Sequence, residues 1–190
     1  MPKGKGKKLV YVPEDILEEV AEACRSRGES IGRFVEEALM QAVRVNQMGY
    51  DLKKLAEFFE VMQAQRVLGG TFVPLDVFNY MVKRVYRDDR EQLQARWYES
   101  GGWHGKYLKE RFADPVLAFK SFLEVSRWDL GEVEVVKGGD VVNIRCVSTV
   151  LTAEGTELLA KFIEGVMHGM GYKTGKRDLV RGMIVLEFRH

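Results

Sequence analysis

Residues 7–43 read KKLVYVPEDILEEVAEACRSRGESIGRFVEEALMQAV, and how this stretch folds decides what kind of protein the chain is. Leu9, Val10, Tyr11 and Val12 favour extended backbone. Pro13 suits the first turn of a helix, where its missing N–H would have no partner anyway. Ile16, Leu17, Val20, Ala21 and Cys24 then recur at helical spacing, with the acids Glu14, Asp15, Glu18, Glu19 and Glu22 between them. The first of these acids sit where the helix dipole is positive. Gly28 can close this helix and Ser30 can cap the next. The second helix has a stripe of Ile31, Phe34, Val35, Ala38, Leu39, Ala42 and Val43. One short strand and two one-sided helices, roughly 40 residues, cannot bury a core alone. A lone strand also leaves its backbone groups unpaired. Two copies solve both problems, because the strands pair antiparallel and the four helices share one core.

The order of these features in VYVPEDILEEVAEACRSRGESIGRFVEEALMQAV resembles the ribbon-helix-helix repressors of the Arc/MetJ class. The match is carried by the strand before the proline, the Gly-x-Ser turn Gly28-Glu29-Ser30, and the pairs Phe34-Val35 and Ala38-Leu39. The resemblance implies a homodimer that lays an intermolecular two-stranded ribbon in the major groove of double-stranded DNA and clamps phosphate at the start of the second helix. Carried over position by position, Lys7, Leu9 and Tyr11 face the bases, and Ser30, Ile31 and Gly32 fall at the clamp. Lys3 and Lys5 belong to a lysine-rich run, free of acids, that can follow phosphates. Outward positions in the family usually carry Arg, Lys, Thr, Asn or Gln. Leu9 offers instead an apolar contact for a thymine methyl, and Tyr11 one hydroxyl. Two readings stay open: DNA held chiefly by lysines, or a ribbon that packs on protein.

Beyond residue 50 the pattern predicts a helix over 52–68, ended by Gly69-Gly70, and a fourth that opens at Pro74 and runs on towards Trp97. SGGWHG, 100–105, reads as a loop, and 106–113 and 115–127 as two shorter helices divided at Asp114-Pro115. After Gly131 the texture changes. EVEVV and VVNIRCVSTV are β-rich runs with a hairpin turn at Gly138-Gly139. A helix with stripe Leu158, Leu159, Phe162, Ile163, Val166, Met167 and Met170 follows, then a short strand near Tyr172 and a last one ending the chain. The expected fold class is therefore α+β: a ribbon-helix-helix module over 1–46, and a domain over 50–190 of helices followed by β-β-α-β-β.

Composition sets limits. The 190 residues carry 29 basic and 28 acidic side chains, so a basic surface must come from local segregation. Two distant cysteines, Cys24 and Cys146, in apolar surroundings read as reduced core thiols of a cytoplasmic protein. No apolar run is long enough to span a membrane. GESIG, 28–32, has the letters of a nucleophile elbow, but a helix rather than a strand precedes it, so Ser30 reads as a cap. His104, His168 and His190 show no metal-ligand spacing with the cysteines, and no motif implies a cofactor. In RWYESGGWHGKY, Trp97, Trp103, His104 and Tyr107 either wall a ligand pocket or anchor a loop on the core. Gly165 and Gly169, four apart on a helix, allow another element to come close. The acidic–basic run 83–96 reads as a solvated helix face.

The stretch FIEGVMHGMGYK and the final strand resemble vinyl-reductase-type small-molecule-binding domains, which are related to haem–nitric-oxide sensors. That resemblance implies an apolar ligand pocket and so a small-molecule effector. The expected function is a homodimeric transcription regulator. The alternative is a small-molecule-binding protein or enzyme in which the ribbon module only dimerises.

Overall fold

The structure is a computed structural model that describes residues 8–190. It contains two compact units, Met1–Leu55 and Ala56–His190.

In the first unit two helices, α1 (Glu14–Arg27) and α2 (Ile31–Gln47), follow one another through a three-residue turn. Gly28 takes the left-handed conformation at φ 67°, and the N–H groups of Gly28 and Glu29 close onto the Arg25 and Cys24 carbonyls. Ser30 Oγ then accepts the Arg33 N–H at 3.3 Å and caps α2. The G-x-S-x-G letters are thus a helix–turn–helix joint. Residues 8–13 form neither helix nor strand within one chain, so the described part of this unit is helical. Cys24 is its one buried residue among those described.

The second unit takes most of α3 (Leu52–Val67), then α4 (Leu75–Asp88), α5 (Arg90–Arg111), α6 (Pro115–Ser126), β1 (Glu132–Gly138), β2 (Val141–Val147), α7 (Ala153–Met170), β3 (Lys173–Val180) and β4 (Met183–Arg189). The strands form one antiparallel sheet in the order β1-β2-β4-β3. Period-2 alternation puts Val142, Ile144 and Cys146 of β2 opposite Phe188, Leu186 and Ile184 of β4, all essentially inaccessible on the face towards the helices. The β-β-α-β-β order read from sequence is the observed one. β3 is longer than the sequence suggests. Its charged run is exposed because it is an edge strand, where charge blocks further pairing.

α7 is buried along most of its length, between the sheet and α5. The α5–α7 crossing corrects the expected loop at 100–105, which is the middle of α5. Gly101 and Gly105 of α5 face Gly165 and Gly169 of α7 so closely that a Cβ at Gly105 would stand 2.0 Å from the Val166 carbonyl oxygen, and one at Gly165 2.0 Å from that of Tyr98. Glycine is a poor helix former alone, but here close packing of two backbones decides the conformation. The expected continuous helix to Trp97 is also corrected, since α4 ends and α5 begins around Asp89, whose φ of −151° is not helical. Aspartate favours such cap positions over helix interiors. Tyr98 Oη bonds His168 Nδ1 at 2.7 Å and His168 Nε2 bonds Thr174 Oγ1 at 2.8 Å, which ties α5, α7 and β3 together. Among the described residues no helix is long and apolar enough to cross a membrane.

Candidate functional site

The positions expected to meet DNA lie in the first unit. Leu9 is 82% exposed and Tyr11 91%. Ser30, Ile31 and Gly32 form an exposed helix start in which Ser30 serves as cap. Neither the Ile31 nor the Gly32 N–H has an acceptor among the described residues, and the first turn of α2 carries no acid. Two N–H groups and the positive end of a 17-residue helix therefore face outwards. Lys3, Lys5 and Lys7 lie outside the described residues.

The four residues expected to wall a ligand pocket all sit on α5 but do not converge on a cavity. Trp97 packs edge-on to Phe78 and Phe162, and Tyr107 packs against the core. Trp103 is exposed, with Lys106 Nζ 4.8 Å from its ring centre. His104 is buried between Phe122 and Phe162, its Nδ1 2.9 Å from the Ser100 carbonyl oxygen. Burial holds its pKa below the ordinary imidazole value, although the bond to the Ser100 carbonyl works the other way. The apolar cavity near these residues, lined by Val61, Ala64, Leu108, Phe112 and Phe122, holds only ≈ 50 Å³. That is far below the ~300 Å³ at the small end of ligand sites.

A larger concavity, ≈ 470 Å³ and open to solvent, lies between α5, the first turns of α7, and β3. Glu157 marks one side. Its Oε2 accepts from the Tyr86 hydroxyl, from Arg90 Nη2 at 2.6 Å and from Gln94 Nε2 at 2.8 Å. Burial pushes the Glu157 carboxyl up, but the bonds from Tyr86 and Arg90 outweigh it and hold the pKa below the usual range. The same site pushes the Tyr86 hydroxyl up, through burial and then through its bond to Glu157. Lys161, Arg177 and Arg181 mark the other side. Glu164, buried behind them, takes Lys161 Nζ at 2.8 Å and Arg177 Nε at 3.7 Å.

This cleft escaped the sequence reading. Tyr86, Arg90 and Gln94 do recur every four residues within the run 83–96, whose local pattern is that of a solvated face. Their acceptor lies some 63 to 71 positions further on, beyond the reach of local pattern. Among the described residues no group of three or more His, Cys, Asp or Glu side chains is placed to hold a metal ion.

No family model matches the chain, and no curated protein matches it. It is similar, at 15% sequence identity and a TM-score of 0.40, to a solved structure described as "Probing the function of heme distortion in the H-NOX family". The match covers 68% of this chain and 82% of that one. A likeness of that degree carries no argument about function or ligand.

Proposed function

We propose that the chain is a homodimeric, DNA-binding transcription regulator whose first unit is a ribbon-helix-helix module and whose second unit answers to a small molecule. The observation that carries the reading is the bare stripe of α2. Ile31, Val35, Leu39 and Val43 follow each other every four residues on one face, and all are exposed in a single chain, Leu39 and Val43 at 58%. A helix with so one-sided an apolar face needs a cover. The occupant that fits is a second copy. Residues 9–12 supply four exposed, β-favouring side chains just before α1. An identical strand satisfies their backbone groups antiparallel, while the identical stripe covers α2, as a two-fold interface requires. Such a dimer sets two free helix starts, at Ile31 and Gly32, beside a ribbon narrow enough for the major groove.

Sedimentation velocity of the full chain tests the dimer. The wild type is expected to sediment as a dimer and the Leu39→Glu variant as a monomer. A gel shift with duplex DNA from upstream of the protein's own coding sequence tests the regulator. A monomeric wild type with no shifted band would overturn the reading.

The outward row favours a second reading. Leu9 and Tyr11 are highly exposed yet cannot make bidentate contacts to base edges. In this reading the ribbon serves only to dimerise, and the activity belongs to the second unit. A dimer that binds no duplex at any salt concentration supports it.

A further inference from the structure

The cleft between α5, α7 and β3 contains more positive charge than the fold consumes. Arg90, Lys161, Arg177 and Arg181 line or border it, against the carboxylates of Glu157 and Glu164, a surplus of two positive charges. Arg90 is committed to Glu157. Lys161 spends one N–H on Glu164, and Arg177 meets it only through Nε. Arg181 pairs with no carboxylate among the described residues; its Nε donates to the Leu151 carbonyl at 3.5 Å, which leaves its two terminal nitrogens unused.

The platform under Arg181 is fixed. It stands in the β3–β4 turn beside Gly182, which has φ 76°. Gly182 donates its N–H to Thr156 Oγ1 at 2.9 Å and accepts the Ser148 N–H at 2.8 Å. A Cβ at Gly182 would lie 2.2 Å from the Ser148 carbonyl oxygen, so the turn admits only glycine there. The guanidinium is thus carried on a turn bonded to α7 and to the end of β2, which lowers the ordering cost of binding. Ala153, in the first turn of α7, also lines the cleft, and Glu154 in the same turn offsets the positive end of that helix, so the arginines and the lysine carry the field. Planar guanidinium groups with several N–H donors match phosphate oxygens.

We infer that this cleft binds a phosphorylated small molecule, its phosphate held by Arg181, Arg177 and Lys161. The volume of ≈ 470 Å³ suits such a ligand. No aromatic ring lines the cleft as a stacking platform, which disfavours single-stranded nucleic acid. On the regulator reading this is the effector site. Binding itself is measured without DNA, so failure here and failure of that reading are separate results.

The test is isothermal titration calorimetry of the full chain at low salt with inorganic phosphate and with pyrophosphate. Saturable pyrophosphate binding is expected, weakened about tenfold or more by Arg181→Gln and by Arg177→Gln, as for the removal of a charge-assisted bond. Lys120→Gln, which removes a charge paired with Glu124 on α6, is expected to bind like the wild type. Thermal melts report whether each variant folds, and the second arginine keeps the test open if one variant does not. No saturable heat, or wild-type affinity in both arginine variants, overturns the inference. So does an oligonucleotide that displaces pyrophosphate at lower concentration than inorganic phosphate does, which would assign the cleft to nucleic acid.

Discussion

His104 shows what burial does to one side chain. Its ring lies edge-on to Phe122 and Phe162, and burial holds the imidazole below its ordinary pKa. The unfolded chain takes up that proton near pH ~6.5, while the folded chain resists it. Between those two values the unfolded state binds more protons, so stability rises with pH. The contribution is complete above about pH 6.5 and is lost as pH falls towards the lower folded value. Urea midpoints of the wild type are therefore expected to drop between pH 7 and 5.5, and His104→Leu to flatten that part of the profile. A second residue makes a similar point. Burial pushes the Cys146 thiol up to about 12, and Cys24 is buried as well. A disulfide reagent at pH 8 is expected to titrate neither thiol in the native protein and both in guanidinium. At this scale the sequence was readable where chemistry is local. Gly28 and Ser30 act within a few residues of themselves, and both take the conformations their types foretell. Glu157 was not readable, because its three donors come from two other helices.

Among the elements, the α5–α7 crossing sets the geometry of the second unit. Its two halves were unequally legible. Gly165 and Gly169 stand in a strongly apolar, periodic helix and so read as a close-approach face. Gly101 and Gly105 stand beside Gly102 and polar residues, where local propensity says loop. Tertiary packing reverses that preference, and the two glycine pairs explain each other. The contrast between neighbours gives a sharp expectation. A Cβ at Gly105 would collide with the Val166 backbone at 2.0 Å, whereas at Gly102 its nearest neighbour is 3.9 Å away. Gly105→Ala is expected to destabilise by about 1–3 kcal/mol through overpacking. Gly102→Ala is expected to be neutral or to stabilise by up to about 1 kcal/mol through helix propensity. Chemical denaturation of the two variants checks this, and equal effects would contradict the crossing. The strands were easier to read from their alternation, although the turn of the first hairpin is Gly139-Asp140 rather than Gly138-Gly139, because Gly138 still pairs with Val141 at the end of β1.

For the whole molecule, the near-neutral balance of 29 basic and 28 acidic residues gives no general attraction to nucleic acid. Under the proposed function, the grip on DNA would fall to the lysines before Leu9 and to the start of α2, with a dimer bringing two sets together. Replacing Lys3, Lys5 and Lys7 by glutamine is expected to weaken binding across sequences and to reduce the salt slope by about one unit for each phosphate no longer neutralised. The apolar stripe of α2 was legible from its spacing, and in a single chain Ile31, Val35, Leu39 and Val43 are exposed. The ligand chemistry of the second unit was not, because the cleft exists only where the sheet edge meets two helices. Fluorescence anisotropy of labelled duplex DNA with the full chain and with a variant lacking residues 1–12 tests the proposed DNA-binding role. The full chain is expected to bind and the shortened one not to, while the thermal melt of the latter still shows the second unit folded. Equal affinity of the two proteins would contradict that role.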